Sequence, residues 1–395
     1  MNHPAAQLAN QDPSDSKPSP SNTEPCEQQP LEQQPLEQQP LEQQPLEQQP
    51  LKQQSREQQL HTWLNEVFPN QSLQHEKIPG DASFRSYHRL TVDNQHYIVM
   101  DAPPAKESVK EFIAVGNLMA GHVHVPKMIA TDEQQGFIVL EDLGNTDFAD
   151  VIAKDLTDAG ELAKTARYYQ QAMQAILAIQ KIDINDAKTV IPSYDDALLR
   201  REMGLFSEWF LPYIGVTMTP DLETLWQDLQ SDIIQQVIAQ PQVVVHRDFH
   251  SRNLMVLNHS DELGVIDFQD AVIGAYTYDL ASLLRDAYIN YDETWVNTHL
   301  AHYHQLAQID KSLAEFTVDF NIMSMQRHLK VLGIFVRLFE RDGKDRYLVN
   351  LPKVFNDLLT CLKAITQWDE RPTFDKFADW MTAVVEPAFH QKTQG

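Results

Sequence analysis

The chain has 395 residues, 42% of them hydrophobic, so it can bury a sizeable core and exceeds one typical domain; a two-lobed or two-domain protein is expected. Its formal charge is −25, of which the first 60 residues supply −6 (nine acids against three bases) and the remainder −19. A body this acidic repels a phosphate backbone, two cysteines (Cys26 and Cys361) build neither a disulfide framework nor a cysteine metal site, and no apolar run approaches a membrane span, so nucleic-acid binders, disulfide-rich scaffolds and membrane proteins are excluded.

The N-terminal segment stands apart. From Glu27 to Leu51 the unit EQQPL repeats five times without variation. Proline every five residues forbids a continuous helix, and one Leu per unit builds no core, so residues 1–55 are expected to form a disordered low-complexity tail. It reads as a repeat that expanded unopposed rather than as a docking arm. Its first residues, MNHPAAQLANQDPSD, carry no basic stretch followed by an apolar one, so no secretory signal is expected and the chain is assigned to the cytoplasm.

From residue 56 the pattern becomes periodic. Leu60, Trp63, Leu64 and Val67 in REQQLHTWLNEVFPN share a helical face, and Pro69 stops the helix. SFRSYHRLTV, QHYIVMDA and GFIVLEDLG read as strands, joined by turn residues in PGDAS and DNQ, with ESVKEFIAVGNLMAGH as an inserted helix. A small antiparallel sheet is therefore expected over about residues 75–143. Helical patterns dominate beyond it; in DLETLWQDLQSDIIQQVIAQ, Leu222, Leu225, Trp226, Leu229, Ile233 and Val237 line one face. The expected fold class is α+β, with a β-rich lobe over 56–143 and a mainly helical lobe over 144–395.

Within the helical lobe, the apolar run QVVV leads into HRDFHSRN. That stretch, His246 to Asn253, crowds two imidazoles, two guanidiniums, a carboxylate and a carboxamide into eight residues. NLMVLNHSDELGVIDFQD then reads as strand, turn and strand, reaching Asp267. Pairing those strands brings Asp248, Asn253 and Asp267 to one edge. Two carboxylates and a carboxamide oxygen suit a hard cation such as Mg2+ holding nucleotide phosphates, and a carboxylate kept off the metal accepts the proton of an incoming hydroxyl.

HRDFHSRN with VIDFQD resembles the catalytic and metal-binding loops of the protein-kinase-like fold, in particular its small-molecule branch, the aminoglycoside phosphotransferase-like kinases. The resemblance covers about residues 75–340, with VLEDLG in place of the hinge between lobes. More closely, GDASFRSYHRL, IVMDAPP, HRDFHSRNLMVL, GVIDFQDAVIGAYTYDLASLLRDAY and QRHLKVLGIFVRL together are similar to the bacterial N-acetylmuramate/N-acetylglucosamine anomeric kinases of cell-wall recycling. This implies a bilobal protein-kinase-like fold, ATP and Mg2+ as cofactors, and a small amino-sugar substrate phosphorylated at its anomeric hydroxyl. No obligate protein partner is evident. By the same resemblance Asp248 is the catalytic base, Asn253 and Asp267 are the metal ligands, His246 and Arg247 brace the loop, and Asp279 anchors it from beneath.

On the nucleotide side, PGDASFRSY occupies the place of a glycine-rich loop but holds one glycine, Gly80. The resemblance makes backbone amides near Ser83 and the guanidinium of Arg85 the phosphate donors, and turns backbone groups of Glu141 and Leu143 toward the base. One departure matters. The strand YIVMD has Met100 where this fold usually places a phosphate-holding lysine, and neither Glu107 nor Glu111 is assigned as its acidic partner. Either Arg85 or the metal replaces that charge, or the protein is a pseudokinase; the intact Asp248, Asn253 and Asp267 favour the first.

Sugar recognition is expected from the large lobe, with Asp270, Arg285, Arg201 and Glu202 as candidates. An arginine suits a lactyl carboxylate and an acid suits sugar hydroxyls. Singly, each serves equally well as a charge on an amphipathic helix. The competing functions are a kinase of the same fold for an aminoglycoside, choline, homoserine or fructosamine, and a catalytically dead binding module recruiting partners through the repeat tail. A protein kinase is further off, because no Ala-Pro-Glu element follows DFQD.

Overall fold

Ser55 opens the first helix by a reciprocal cap: its hydroxyl accepts the N–H of Gln58 while the Gln58 side chain accepts the N–H of Ser55. The computed structural model describes residues 55–78, 84–155, 162–257, 260 and 262–394; the repeat tail, Gly80 and Ser83 lie outside the described residues. Helix α1 (Arg56–Val67) buries Leu60, Trp63 and Leu64 against one face of a five-stranded antiparallel sheet. The strands are β1 (Leu73–Ile78), β2 (Ser86–Val92), β3 (Gln95–Asp101), β4 (Met128–Asp132) and β5 (Phe137–Glu141), in the order β1-β2-β3-β5-β4. The edge strands β1 and β4 were not expected from the pattern; LQHEKI has four polar residues in a row and MIATD is short.

Strand alternation divides the sheet's two faces. Val99 of β3 packs under α1 with Leu90 and Val139, whereas Met100 belongs to the opposite face with Phe112 of α2 (Lys110–Met119). Register places Met100 opposite Tyr87 of β2 and Ile138 of β5.

The rest is mainly helical, as the expected α+β organisation requires, with four short strands among the helices. It runs through α3 (Phe148–Asp155), α4 (Leu162–Gln180), α5 (Ile184–Ala187), α6 (Asp196–Leu205), α7 (Leu211–Tyr213) and α8 (Pro220–Ala239). After the strands β6 (Gln242–Val245), β7 (Leu254–Val256), β8 (Leu263–Val265) and β9 (Val272–Ala275) come α9 (Tyr278–Leu284), α10 (Glu293–Leu306), α11 (Leu313–Asp342), α12 (Leu351–Trp368), α13 (Pro372–Trp380) and α14 (Glu386–Gln394). The 30-residue α11 is the central post, packed on α6, α8, α9 and α12. Its crossing with α6 is unusually close: a Cβ on Gly333 would stand 2.3 Å from the Leu205 carbonyl carbon, so only glycine fits. Among the described residues no helix is long and apolar enough to cross a membrane.

The same post carries a buried histidine. His328 is 4% exposed, with Nε2 3.9 Å from Asp357 Oδ2. Burial, together with the nearby cations Lys353, Arg285 and Arg327, holds its pKa well below the ordinary 6.5, so it folds neutral. The unfolded chain takes up this proton first as pH falls. The contribution to stability is therefore complete above pH 6.5 and is lost progressively below it. Melting curves recorded between pH 7.5 and about pH 5 should fall more steeply for the native chain than for His328→Asn; parallel curves would refute this assignment.

Candidate active site

Strand β6 delivers HRDFHSRN into a loop whose backbone is held from behind. Asp279, buried at the start of α9, accepts the N–H of His246 at 2.8 Å and the N–H of Arg247 at 2.9 Å. Burial raises the Asp279 pKa, countered by His246 and by these two backbone donors. His246 Nε2 donates to the Ile266 carbonyl at 3.0 Å, tying the loop to the segment that enters Asp267. Arg247 sits at φ +79° and Asp267 at φ +65°, left-handed conformations that cost non-glycine residues energy and persist only where neighbours over-determine them. The loop's second half is pinned by Asp286, whose Oδ2 accepts the Ser251 N–H at 2.8 Å and its hydroxyl at 2.5 Å.

Strands β7 and β8 pair as expected, Leu254 opposite Val265, and this sets Asn253 and Asp267 side by side. The partner of β6 was not foreseen: it is β9, antiparallel, with Val245 opposite Val272. Asn253 Nδ2 donates to the Asp248 carbonyl at 2.9 Å, leaving its carboxamide oxygen for a cation. Asp267 Oδ1 accepts from Gln269 at 2.8 Å. Asn253 and Asp267 line a cleft of about 790 Å³ between the sheet and the helical lobe. Oxygen donors of this kind fit a small hard cation completed by phosphate and water.

Beneath Asp248 lies a charge network that the sequence reading did not assemble. Lys330 of α11 is 3.2 Å from Glu202 of α6 and 3.3 Å from the Tyr278 hydroxyl, and Glu202 also receives Arg247 and the Tyr194 hydroxyl. Arg327 donates to the Arg247 carbonyl at 3.1 Å and stacks over Tyr278. Burial alone would raise the Asp248 pKa; Lys330, then His250, Arg327 and Arg247, reverse that and lower it. In the same way Lys330 and Arg247 overcome the burial of Glu202 and lower its pKa. The signal available in the sequence was two cations, Arg327 and Lys330, set among Met325, Leu329 and Leu332 on a helix otherwise buried at those positions.

The structure sorts the remaining candidates. Arg85, Glu141, Leu143 and Asp270 line the same cleft as Asn253 and Asp267. The Glu141 carboxylate accepts the Lys127 N–H at 3.2 Å, so its side chain serves the backbone. Arg89 of β2 donates to Asp142 at 2.7 and 3.1 Å and to the Gly144 carbonyl at 3.2 Å, fixing the hinge to the sheet. Ser83 falls outside the described residues. The other three substrate candidates are not in the cleft. Arg285 makes a bidentate pair with Glu293 at 2.6 and 2.8 Å and is 4% exposed, because its guanidinium is turned toward α10. Glu202 is consumed beneath the His246–Asn253 loop, and Arg201, its neighbour on the helix, faces outward into a groove between α6 and α8.

Comparison with known proteins follows the same outline. Residues 74–316 match the model of the phosphotransferase enzyme family. An N-acetylmuramate/N-acetylglucosamine kinase of Pseudomonas aeruginosa is 37% identical over 321 residues, covering 77% of this chain and 91% of that protein. A protein of the same name from Pseudomonas putida is 40% identical over 283 residues, covering 70% and 80%. Among solved structures, ADP-bound aminoglycoside phosphotransferase APH(2'')-Ib superposes with a TM-score of 0.52 at 14% identity, covering 78% of this chain and 98% of that one, which shows a shared fold.

Proposed function

The chain belongs to the phosphotransferase enzyme family, and on that premise we propose that it transfers the γ-phosphoryl group of ATP to the anomeric hydroxyl of N-acetylmuramate and N-acetylglucosamine. The observation that carries this reading is the oxygen pair Asn253 and Asp267 side by side on the cleft wall, with the Asn253 amide bound to the backbone carbonyl of Asp248. The amino-sugar acceptor is supported by the relatives of that name, which the chain matches over most of their length. The product would be a 1-phosphate ready for nucleotidyl transfer, so salvaged wall sugars re-enter synthesis. A dependence on ATP would suit a cytoplasmic setting.

In this mechanism the sheet and hinge, residues 56–143, hold the nucleotide, and residues 144–395 supply the catalytic loop and acceptor site. Asn253 and Asp267 would hold Mg2+, which when bound neutralises charge on the phosphate oxygens. Asp248, kept ionised by Lys330 and the arginines, accepts or aims the proton of the sugar hydroxyl. A bond forms from that oxygen to the γ-phosphorus, the bond to the bridging oxygen of ADP breaks, and the proton passes to the carboxylate. A hemiacetal hydroxyl is more acidic than an ordinary alcohol, so a weakly basic carboxylate suffices. Asp270, on the cleft wall beside the metal loop with its side chain 61% exposed, is the group placed to meet sugar hydroxyls.

The test is ADP release by the purified protein with ATP and Mg2+, screened on N-acetylmuramate, N-acetylglucosamine, glucose, choline, homoserine and kanamycin. The expected result is turnover confined to the two amino sugars, with an acid-labile, alkali-stable phosphate in the product. Turnover on choline or kanamycin instead would replace the acceptor, and an acid-stable phosphate would move the reaction off the anomeric oxygen.

A further inference from the structure

The cleft contains a fixed cation that does not come from the strand position where the fold usually supplies one. Met100 stands there, wholly buried in the apolar core with Phe112, so β3 brings no charge to the phosphates. Arg85 lies two residues before Tyr87, the register partner of Met100, immediately ahead of β2, and its guanidinium makes a 2.6 Å ion pair with Glu107. The Arg85 side chain is 7% exposed and stacks over Phe112, with the Tyr87 hydroxyl against it. Glu107 lies in the turn before α2, where its N–H donates to the Pro103 carbonyl at 3.1 Å. Both residues line the cleft that also holds Asp267.

A guanidinium that is desolvated, oriented by a carboxylate and set across the cleft from a metal-binding carboxylate has the chemistry of a phosphate clamp: always charged, planar and able to make two parallel hydrogen bonds. We propose that Arg85, held by Glu107, binds the phosphates of the nucleotide and takes over the task of the absent lysine. The charged pair has moved one strand across the sheet, from β3 to the foot of β2. Glu107 is a positioning residue: its ion pair fixes the fork of Arg85. This inference rests on the proposed nucleotide use, and it makes Met100 no lesion.

The test uses the full-length protein with Mg2+ and no sugar. Affinities for ADP and adenosine are measured by calorimetry for the native chain, Arg85→Ala, Arg85→Lys and Glu107→Gln. Arg85→Ala is expected to weaken ADP by about 100-fold, the worth of charge-assisted hydrogen bonds to phosphate, while adenosine affinity is unchanged. Glu107→Gln should lose less, again for ADP alone, and Arg85→Lys should recover part of the loss. In turnover assays, added ethylguanidinium should restore part of the Arg85→Ala activity. Equal losses for adenosine and ADP would show that Arg85 merely shapes the pocket and would overturn the proposal, as would ADP affinity undiminished in both Arg85→Ala and Glu107→Gln. The binding measurements need no acceptor, so a protein that clamps ADP through Arg85 yet phosphorylates no amino sugar would sustain this inference and reject the proposed reaction.

Discussion

Asp248→Asn should lower turnover by about three orders of magnitude with the nucleotide still bound, because the amide has the size of the carboxylate and none of its proton affinity. The environment makes this substitution informative. Lys330, His250, Arg327 and Arg247 all favour the ionised form of Asp248, so the native group is a carboxylate throughout the working pH range. Neutralising it leaves no cation stranded: Lys330 keeps Glu202 and Tyr278, and Arg327 keeps the Arg247 carbonyl. The variant should therefore fold, and its melting temperature together with single-turnover rates separates chemistry from stability. Near-normal turnover would remove Asp248 from the proton-accepting role.

Asp279→Ala should cost stability and activity together. Its two carboxylate oxygens each receive one loop N–H in a buried site, and each orphaned donor costs about 1–3 kcal/mol, so a loss of about 3–5 kcal/mol is expected in denaturant titration. The loop would also lose what holds Arg247 at positive φ, and Asp248 would leave its position. Activity should fall at least 100-fold even under conditions where the variant is folded. Asp279→Asn should be milder, since one amide oxygen still accepts and a costly buried charge is removed. A native-like melting curve for Asp279→Ala would mean that the loop is anchored elsewhere, with Asp286 the next candidate.

The parts of this molecule that were legible in the sequence are those written in local pattern. Helix α1, strands β2, β3 and β5, and helix α8 declare themselves through apolar spacing, and β7 and β8 through a short turn between two apolar runs. The approach of Asn253 to Asp267 followed from those two strands. Strands β1 and β4 were not legible because sheet edges bury one face only partly, and LQHEKI carries charge on the other. Pairing of β6 with β9 joins segments some thirty residues apart, a choice made by topology rather than by either segment alone. Arg285 misled for a related reason. Its spacing from Asp279 is correct, but α9 ends at Leu284 and the side chain meets Glu293, eight residues on. Adjacent helical residues point about 100° apart, which explains how Glu202 is buried and Arg201 is not.

The tight crossing of α6 and α11 reaches further than packing. Gly333 lies three residues beyond Lys330, and the Leu205 backbone it touches lies three residues beyond Glu202. The two helices thus act as the jaws of a vice, closed at a point one helical turn from the ion pair they carry. A single hydrogen atom sets the gap. The electrostatic surroundings of the Asp248 carboxylate are in this sense governed by a side chain that is absent: a methyl group at that point would act as a wedge, shifting the ion pair beneath Asp248 without touching any charged group in it.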